Sequence, residues 1–293
     1  MSARSVKVAL IQMSMAADKA SNLRKAADRI REAAEGGAEL VCLPELFATP
    51  YFCQSEDAAH FDLAEPLAGP TAEAMATAAR DNRVALVVPL FERRAAGVYH
   101  NSLLMIGANG AVLGSYRKMH IPDDPLFYEK YYFTPGDLGF RTFETGTLSV
   151  GTLICWDQWY PEAARLTALA GAQVLVYPTA IGWHPSEKEQ YGAAQVSAWQ
   201  TMQRAHAISN GLFVAAVNRV GHEGASDGGI EFWGRSFIAD PFGVVLAEAG
   251  GGEEILFADC DLSRIEWVRR NWPFFRDRRI DAYAGITSRF LDR

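Results

Sequence analysis

Two patterns of apolar residues alternate along the chain. Short continuous apolar runs are typical of buried strands, and apolar residues spaced three or four apart are typical of helices with one buried face. The runs predict strands over residues 6–11, 40–43, 84–91, 148–155, 174–177 and 212–217. The helical spacing predicts helices over residues 71–82, 161–170 and 194–210, and an earlier one that carries Leu23, Ala26, Ala27, Ile30 and Ala33 and is stopped by Gly36-Gly37.

Two further parts of the chain predict antiparallel strands. Residues 101–108 and 112–116 are joined by Asn109-Gly110, which is a strong hairpin signal. Residues 233–259 turn at Pro241-Phe242-Gly243. Buried strands separated by helices, with hairpins added, indicate α/β layers around a mixed sheet. No repeat or long linker divides the sequence, so residues 1–293 are predicted to form one domain.

Composition narrows the classes of protein that fit. The 293 residues are 49% hydrophobic and 22% charged, with a net charge of −7, which indicates a globular chain and disfavours nucleic acid as a partner. The one basic run, residues 269–279, is broken by aromatics and favours packing or a subunit contact. No apolar run reaches the roughly 18–20 residues of a membrane helix. Without a secretory leader or paired metal-ligand spacing, we expect a cytoplasmic protein with free thiols and no metal.

Several strands end in residues that can do chemistry. In α/β proteins, ligands collect beyond the carboxyl ends of strands. Cys155 follows an apolar run that contains small residues and precedes a helix that begins at Pro161. Helix N-terminal N–H groups and a nearby cation would lower the pKa of such a thiol and make it a nucleophile. The alternative is a buried structural cysteine, which is the common fate of a free one.

A cysteine nucleophile needs a base, and no histidine in the sequence lies in a known cysteine-hydrolase pattern. A buried carboxylate can take this role. Glu45 ends an apolar strand directly after Leu43-Pro44 and is the candidate, with a strand-end salt bridge as the alternative. Lys118 follows the hairpin and would supply positive charge to the thiolate and to an oxyanion formed on an attacked carbonyl.

The segments that carry these residues resemble the Glu–Lys–Cys motifs of the nitrilase superfamily. The matching stretches are Leu43-Pro44-Glu45-Leu46-Phe47, Tyr116-Arg117-Lys118-Met119-His120-Ile121-Pro122 and Leu153-Ile154-Cys155-Trp156-Asp157, separated by 73 and 37 residues between the triad positions, with further matches at Tyr177-Pro178-Thr179-Ala180 and Asn218-Arg219-Val220-Gly221. The resemblance covers nearly the whole chain. It implies a four-layer α-β-β-α sandwich with Glu45, Lys118 and Cys155 as the catalytic triad.

Within the superfamily, the chain resembles the branch that hydrolyses N-carbamoylputrescine. Ile121-Pro122-Asp123-Asp124-Pro125, Tyr128-Glu129-Lys130 and the residues from Cys155 to Arg165 carry this likeness. It implies hydrolysis through a Cys155 thioester without a cofactor, with the backbone N–H of Trp156 as an oxyanion donor and Glu129 as a supporting carboxylate. The alternative for Glu129 is that it neutralises Lys130 or Arg117. It also implies a homodimer or larger homo-oligomer in which residues 262–293 lie at a subunit interface.

The residues that would bind the tail of the substrate are predicted less directly. A cationic carbamoyl amine needs carboxylates or aromatic faces at the pocket mouth. The candidates are Asp123, Asp124, Glu187, Trp156, Trp159 and Trp183. After Gly182 the sequence departs from the branch, which often carries acidic residues where Trp183-His184-Pro185-Ser186-Glu187 stands here.

Two alternatives stay open at this point. The same triad could act on N-carbamoyl-β-alanine, another N-carbamoyl amino acid or an aliphatic ω-amide. Such substrates carry a carboxylate, and Arg165, Arg204 or Arg219 would then be expected in the pocket. The second alternative is a non-catalytic binding protein that keeps the fold.

Overall fold

The computed structural model describes residues 4–224 and 228–291. The strands are β1 (Ser5–Gln12), β2 (Leu40–Cys42), β3 (Ala85–Ala95), β4 (Val98–Ile106), β5 (Val112–Arg117), β6 (Thr142–Glu144), β7 (Ser149–Thr152), β8 (Val174–Thr179), β9 (Gly182–Trp183), β10 (Phe213–Asn218), β11 (Val220–Glu223), β12 (Ile230–Trp233), β13 (Phe237–Ala239), β14 (Val245–Glu248) and β15 (Glu254–Asp261). The α-helices are α1 (Lys19–Glu35), α2 (Pro70–Asn82), α3 (Glu129–Tyr132), α4 (Pro161–Leu169), α5 (Lys188–Asn210) and α6 (Ser263–Asn271). Short 3₁₀ helices cover Phe52–Gln54, Ala58–Leu63, Cys155–Trp159, Ile280–Ala282 and Ala284–Thr287.

These strands form two six-stranded sheets and one small three-stranded sheet. The first large sheet has the order β15-β1-β2-β3-β4-β5, and the second has the order β14-β13-β10-β8-β7-β6. In each, parallel pairs lie at the centre and antiparallel pairs lie towards the edges. The small sheet, β11-β12-β9, is formed by segments that follow β10 and β8 and precede β13 of the second sheet. The mixed pairing agrees with the sequence prediction.

Successive side chains of β1 belong alternately to two different cores, which shows how the layers stack. Val8 and Leu10 belong to the large core that also contains Val150 and Val214 of the second sheet. Ala9 and Ile11 belong instead to the core shared with α1 and α2. Since successive side chains of a strand point to opposite faces, the first sheet lies between the second sheet and these two helices. Helices α4 and α5 pack together, and both contact the second sheet. The predicted α-β-β-α sandwich is confirmed.

Local signals explain where the helices begin and end. Asp18 accepts hydrogen bonds from the backbone N–H groups of Ala20 and Ser21, which caps α1. Pro70 and Pro161 each occupy the first turn of a helix, where the missing N–H costs nothing. Gly211 ends α5 in the left-handed conformation at φ 57°.

Some predicted boundaries were wrong. Helix α5 begins at Lys188, six residues before the expected start, because its first turns are mostly polar and exposed and show no apolar periodicity. The strand expected over residues 148–155 ends at Thr152, and a 3₁₀ helix begins at Cys155. Neither α3, with four residues, nor α6, which has no side-chain cap, was predicted. No helix in the part of the chain that the structure describes is long and apolar enough to cross a membrane.

Candidate active site

Three chain segments that leave the two large sheets meet at one end of the sandwich. Glu45 follows β2, and Lys118 directly follows β5, both in the first sheet. Cys155 comes three residues after β7 in the second sheet. All three side chains are buried there, and the charges of Glu45 and Lys118 both act on the Cys155 thiol, so the three form one buried cluster.

Lys118 is the centre of this cluster. Its Nζ lies 2.8 Å from Glu45 Oε1 and 2.6 Å from Glu129 Oε2. The side chains of Lys118 and Glu45 are 0% exposed, and that of Glu129 is 1% exposed. A buried charge is tolerated only when it is paired and hydrogen-bonded, so these three groups hold one another in place.

Two neutral side chains complete the network. Asn101 Nδ2 donates to Glu45 Oε1 over 2.6 Å, and Tyr51 Oη donates to Glu129 Oε1 over 2.7 Å. Glu45 Oε1 therefore accepts two hydrogen bonds, while Glu45 Oε2 is buried without a partner among the described residues. This asymmetry leaves Oε2 as the oxygen of Glu45 that can receive a proton.

Cys155 stands on a sharp turn between its strand and the 3₁₀ helix. Its φ is +43°, a conformation that L-residues rarely adopt and that is common at functional sites. Asp157 holds the turn, because its carboxylate accepts hydrogen bonds from the backbone N–H of Ile154 and from Tyr116 Oη in the first sheet. The same carboxylate accepts from the backbone N–H of His120. Asp157 thereby ties the Cys155 turn to the segment that carries Lys118.

Burial governs the protonation of the thiol. It raises the pKa of Cys155 well above its ordinary value, and the negative charge of Glu45 adds to this effect, while the Lys118 ammonium opposes it. The sequence-based expectation of a lowered pKa was therefore wrong: the cation is present, but desolvation of the thiol is the larger effect. A thiol that is neutral at rest requires a base at the moment of attack.

The protonation of Lys118 and of Glu129 follows from the same competition between burial and neighbouring charges. Burial by itself lowers the pKa of the Lys118 ammonium, but the carboxylates of Glu129 and Glu45 outweigh it and raise that pKa well above its ordinary range. Burial raises the pKa of Glu129 to about 7, although the Lys118 ammonium opposes the shift. Lys118 is thus a fixed positive charge, and Glu129 titrates near neutral pH.

A cavity of about 380 Å³ opens from this cluster to the surface. Its walls are mostly apolar, with polar groups at a few positions, as is usual for small-molecule sites. The lining residues are Pro122, Asp124, Pro125, Phe127, Glu129, Cys155, Trp156, Trp159, Ala180, Ile181, Gly182, His184, Glu187, Gln195, Ala198 and Trp233. Cys155 is the one cysteine among them; Cys42, Cys53 and Cys260 are buried elsewhere.

The cavity contains most of the residues that the sequence singled out for substrate contact. Asp124, Trp159 and Glu187 line it, together with Trp156. Asp123 is exposed to solvent as Asp124 is, but it does not line the cavity.

Trp183 also lies outside the lining. Its indole Nε1 donates to Gly192 O over 3.1 Å, and its ring packs against Trp233, which forms the wall in its place. Trp233 and Gln195 were missed by sequence analysis, since an aromatic in a strand and an amide on a helix carry no chemical signal by themselves.

None of the three arginines considered for a substrate carboxylate lines the cavity. Arg219 is buried and donates to Glu223 Oε1 over 2.6 Å and to Thr49 O over 3.0 Å, so it anchors the loop that follows Glu45. Arg165 donates to Ser209 O, and Arg204 donates to Gly243 O. Among the described residues, no group of three or more His, Cys, Asp or Glu side chains could hold a metal ion.

Comparison with known families decides the class of this site. The family model for carbon-nitrogen hydrolases matches residues 7–270. The chain belongs to this family. Among solved structures, a carbon-nitrogen hydrolase from Helicobacter pylori G27 superposes with a TM-score of 0.95 at 45% identity, covering 98% of this chain and 100% of that one. Saccharomyces cerevisiae Nit3, a member of branch 10 of the nitrilase superfamily, superposes with a TM-score of 0.79 at 28% identity, covering 94% and 97%.

Two curated relatives are similar over nearly their full length. The N-carbamoylputrescine amidase of Solanum lycopersicum is 43% identical over 291 residues, which cover 97% of this chain and 95% of that protein. The citrullinase of Francisella tularensis subsp. tularensis is 40% identical over 287 residues, which cover 97% and 99%. The chain is therefore a carbon-nitrogen hydrolase of the nitrilase superfamily, an amidohydrolase that acts on carbamoyl or amide C–N bonds.

Proposed function

We propose that this protein hydrolyses N-carbamoylputrescine to putrescine, carbon dioxide and ammonia. The observation that carries the proposal is the charge of the cavity beside Cys155. Its described lining includes the carboxylates of Asp124 and Glu187 and no lysine or arginine. Such a cavity favours a tail that ends in an ammonium and disfavours one that ends in a carboxylate.

The first half of the reaction forms a covalent intermediate. Glu45 Oε2 takes the proton of the Cys155 thiol as Sγ attacks the carbamoyl carbon. Lys118 Nζ and the backbone N–H of Trp156, at the start of the 3₁₀ helix, hold the negative oxygen that develops; one such donor contributes roughly 3–4 kcal/mol in comparable sites. The C–NH₂ bond then breaks, and Glu45 returns its proton to the leaving ammonia.

The second half releases the amine. Water gives a proton to Glu45 and attacks the thioester carbon, and the C–S bond breaks as Cys155 recovers its proton from Glu45. The product is the carbamate of putrescine, which breaks down to carbon dioxide and the free diamine. In this scheme Glu129 is a positioning residue: it holds Lys118 Nζ through a second ion pair beside the one with Glu45.

Citrulline is the competing substrate that the similarity to a citrullinase favours. It presents the same carbamoylated amine, but its far end carries a carboxylate beside the ammonium. The carboxylate would have no cationic partner in the cavity lining. N-carbamoyl-β-alanine and aliphatic ω-amides that end in a carboxylate meet the same obstacle. A binding protein without catalysis would have no need of the buried base beside the thiol.

The test is ammonia release by the purified protein from N-carbamoylputrescine, citrulline and N-carbamoyl-β-alanine at equal concentrations. We expect kcat/KM to be at least about tenfold higher for the putrescine compound, the ratio that roughly 1.4 kcal/mol of tail recognition produces. A preference for citrulline or for the β-alanine compound would refute the proposed substrate and leave the triad chemistry in place. Release from none of the three would refute both.

We further propose that the single domain forms homodimers or larger homo-oligomers through residues 262–293. Arg165 of α4 and Arg269 of α6 stack on the ring of Phe275, so these elements adjoin. Helix α4 and the segment after α6 expose large apolar side chains, among them Leu166 (47%), Ile280 (73%) and Phe290 (82%). Large apolar side chains exposed to this extent are typical of an interface.

Light scattering tests this assembly. We expect a molar mass of at least twice 32.2 kDa for the wild type and a lower mass for the variant Ile280→Asp/Phe290→Asp. A monomeric wild type would refute the proposal.

A further inference from the structure

Tyr51 connects the loop that follows Glu45 to the second carboxylate of the site. Its hydroxyl donates to Glu129 Oε1 over 2.7 Å, while the Lys118 ammonium binds the other oxygen, Oε2, over 2.6 Å. Among the described residues, no second donor reaches Oε1. Tyr51 and Glu129 are each 1% exposed, so this hydrogen bond is made out of contact with bulk solvent.

The backbone and the ring of Tyr51 are both held in place. Its backbone N–H donates to Glu223 Oε2 over 2.6 Å, and Arg219 donates to the other oxygen of Glu223 over 2.6 Å. Its ring packs against the ring of Phe127, with 5.6 Å between the centroids. Because none of these contacts involves Glu129, they direct the hydroxyl at this carboxyl group independently of its charge.

The hydroxyl favours one protonation state of Glu129. A hydrogen bond donated to a carboxylate stabilises its ionised form. Burial raises the pKa of Tyr51 well above its ordinary value, so the hydroxyl remains a donor near neutral pH. Burial also raises the pKa of Glu129 to about 7, and the hydrogen bonds from Lys118 and Tyr51 oppose that shift.

Other titratable groups lie around the same carboxyl group. After burial, the charge of Lys118 lowers the pKa of Glu129, and that of Glu45 raises it. The thiols of Cys53 and Cys155 are close enough to be affected by the charge of Glu129. Burial raises the pKa of both thiols well above its ordinary value, so they are neutral near pH 7 and add no charge of their own. Burial, the two charged neighbours and the tyrosine hydroxyl therefore govern this titration.

We propose that Tyr51 is a positioning residue that keeps Glu129 in the ionised form that holds Lys118, and that it thereby sets the pH at which hydrolysis begins. The inference rests on the proposed function, in which Glu129 positions Lys118 for the developing oxyanion. A protonated Glu129 would leave the Lys118 ammonium paired with Glu45 alone. Tyr51 is not part of the cavity lining, so it acts through Glu129 and not on the substrate.

The test compares the pH profiles of kcat/KM for the wild type and Tyr51→Phe, with whichever of the three carbamoyl compounds the wild type hydrolyses fastest. The variant loses one oxygen and keeps its packed ring, so its circular dichroism should match the wild type. Loss of a hydrogen bond to a charged group should move the midpoint of the rise about one pH unit higher. The kcat/KM should therefore fall roughly tenfold at pH 6 and by less than about twofold at pH 9.

Tyr132→Phe is the matched control. Tyr132 is buried on α3, the helix that carries Glu129, but its hydroxyl donates to the backbone oxygen of Ser55. Removal of this hydroxyl should leave the midpoint of the profile unchanged. In Glu129→Gln, which has no carboxylate to titrate at this position, Tyr51→Phe should cause the same loss at pH 6 and at pH 9.

The outcomes distinguish this inference from the proposed function. A wild-type profile that rises between pH 6 and 8 and keeps its midpoint in Tyr51→Phe would overturn the role of Tyr51 and leave that of Glu129. A loss of equal size at every pH would do the same, since a purely structural role predicts it. A flat wild-type profile would refute the role of Glu129 in the proposed function, and the role of Tyr51 with it.

Discussion

The two ends of the cavity are built in opposite ways. At the inner end, Glu45, Lys118 and Glu129 are fully buried and held by one another and by neutral donors. At the outer end, Asp124 and Glu187 are exposed carboxylates beside half-buried tryptophans. A buried network fixes the positions of its groups. Exposed charges, in contrast, act through solvent, and other residues can replace them at little cost. We therefore expect substitutions at the inner end to lower kcat and substitutions at the outer end to raise KM.

The largest effect is expected from the proposed nucleophile, Cys155. Cys155→Ser should lower ammonia release by at least about a thousandfold, because a hydroxyl is a far weaker nucleophile than a thiol activated by the same base. Circular dichroism and molar mass should match the wild type, since the two side chains are nearly isosteric. Cys42→Ala is the matched control, because Cys42 is buried in β2 away from the cavity. Substantial activity in Cys155→Ser would rule out the thioester route.

An intermediate effect is expected from the titration of Glu129. Its two hydrogen bonds are made by the carboxylate, and its pKa is about 7. The ionised Glu129 carboxylate, which holds Lys118, therefore becomes more populated as the pH rises. The kcat/KM should increase about tenfold between pH 6 and 8. Glu129→Gln should have lower activity and no such rise. A wild-type profile that is flat over this range would contradict the assignment.

The titration of Glu129 also makes the stability of the folded protein depend on pH. The folded-state pKa lies above the ordinary value of 4.5, so the folded protein binds this proton more tightly than the unfolded chain does. The contribution to stability is complete below pH 4.5 and is lost as the pH rises through about 7. Between pH 5.5 and 8, the Tm of the wild type should therefore fall more than that of Glu129→Gln. Scanning calorimetry at matched ionic strength measures the difference.

The smallest effect is expected at the outer end. Asp124→Asn should raise the KM for N-carbamoylputrescine about two- to fivefold and leave kcat unchanged, because exposed charge pairs contribute only about 0.5–1 kcal/mol. The increase should shrink at high salt. Asp123→Asn is the control, since Asp123 is adjacent in sequence but outside the lining. A fall in kcat instead of a rise in KM for Asp124→Asn would refute the proposed difference between the inner and outer ends of the cavity.

The inner end could largely be predicted from the sequence. Glu45, Lys118 and Cys155 each follow a strand, and a reactive side chain after an apolar run stands out in the sequence. Their supporting residues do not. Asn101 lies within a strand and Tyr51 in a loop, and their hydrogen bonds join residues 56 and 78 positions apart. Only the strand order of the first sheet, in which β3 alone separates β2 from β4, and the loops that leave this sheet bring such partners together.

The outer end was predicted less well, for a physical reason. Whether a side chain lines a cavity can change from one residue to the next along the backbone. Asp124 lines the cavity, whereas Asp123 next to it does not. The lining also depends on competing contacts: Trp183 looked like a cavity wall, yet its indole is engaged by the backbone of α5. The raised pKa of Cys155 was missed because burial of the thiol is a property of the folded state and not of its neighbours in sequence.

The division of the proposed triad between two sheets also bears on how the chain folds. Glu45 and Lys118 come with the first sheet, and Cys155 comes with the second. In a nascent or damaged molecule in which the sheets have not docked, Glu45 lies in one half and the Cys155 thiol lies in the other, so under the proposed mechanism neither half is active. Turnover therefore reports on docking itself, so the onset of ammonia release during refolding would time the step at which the two halves close on each other.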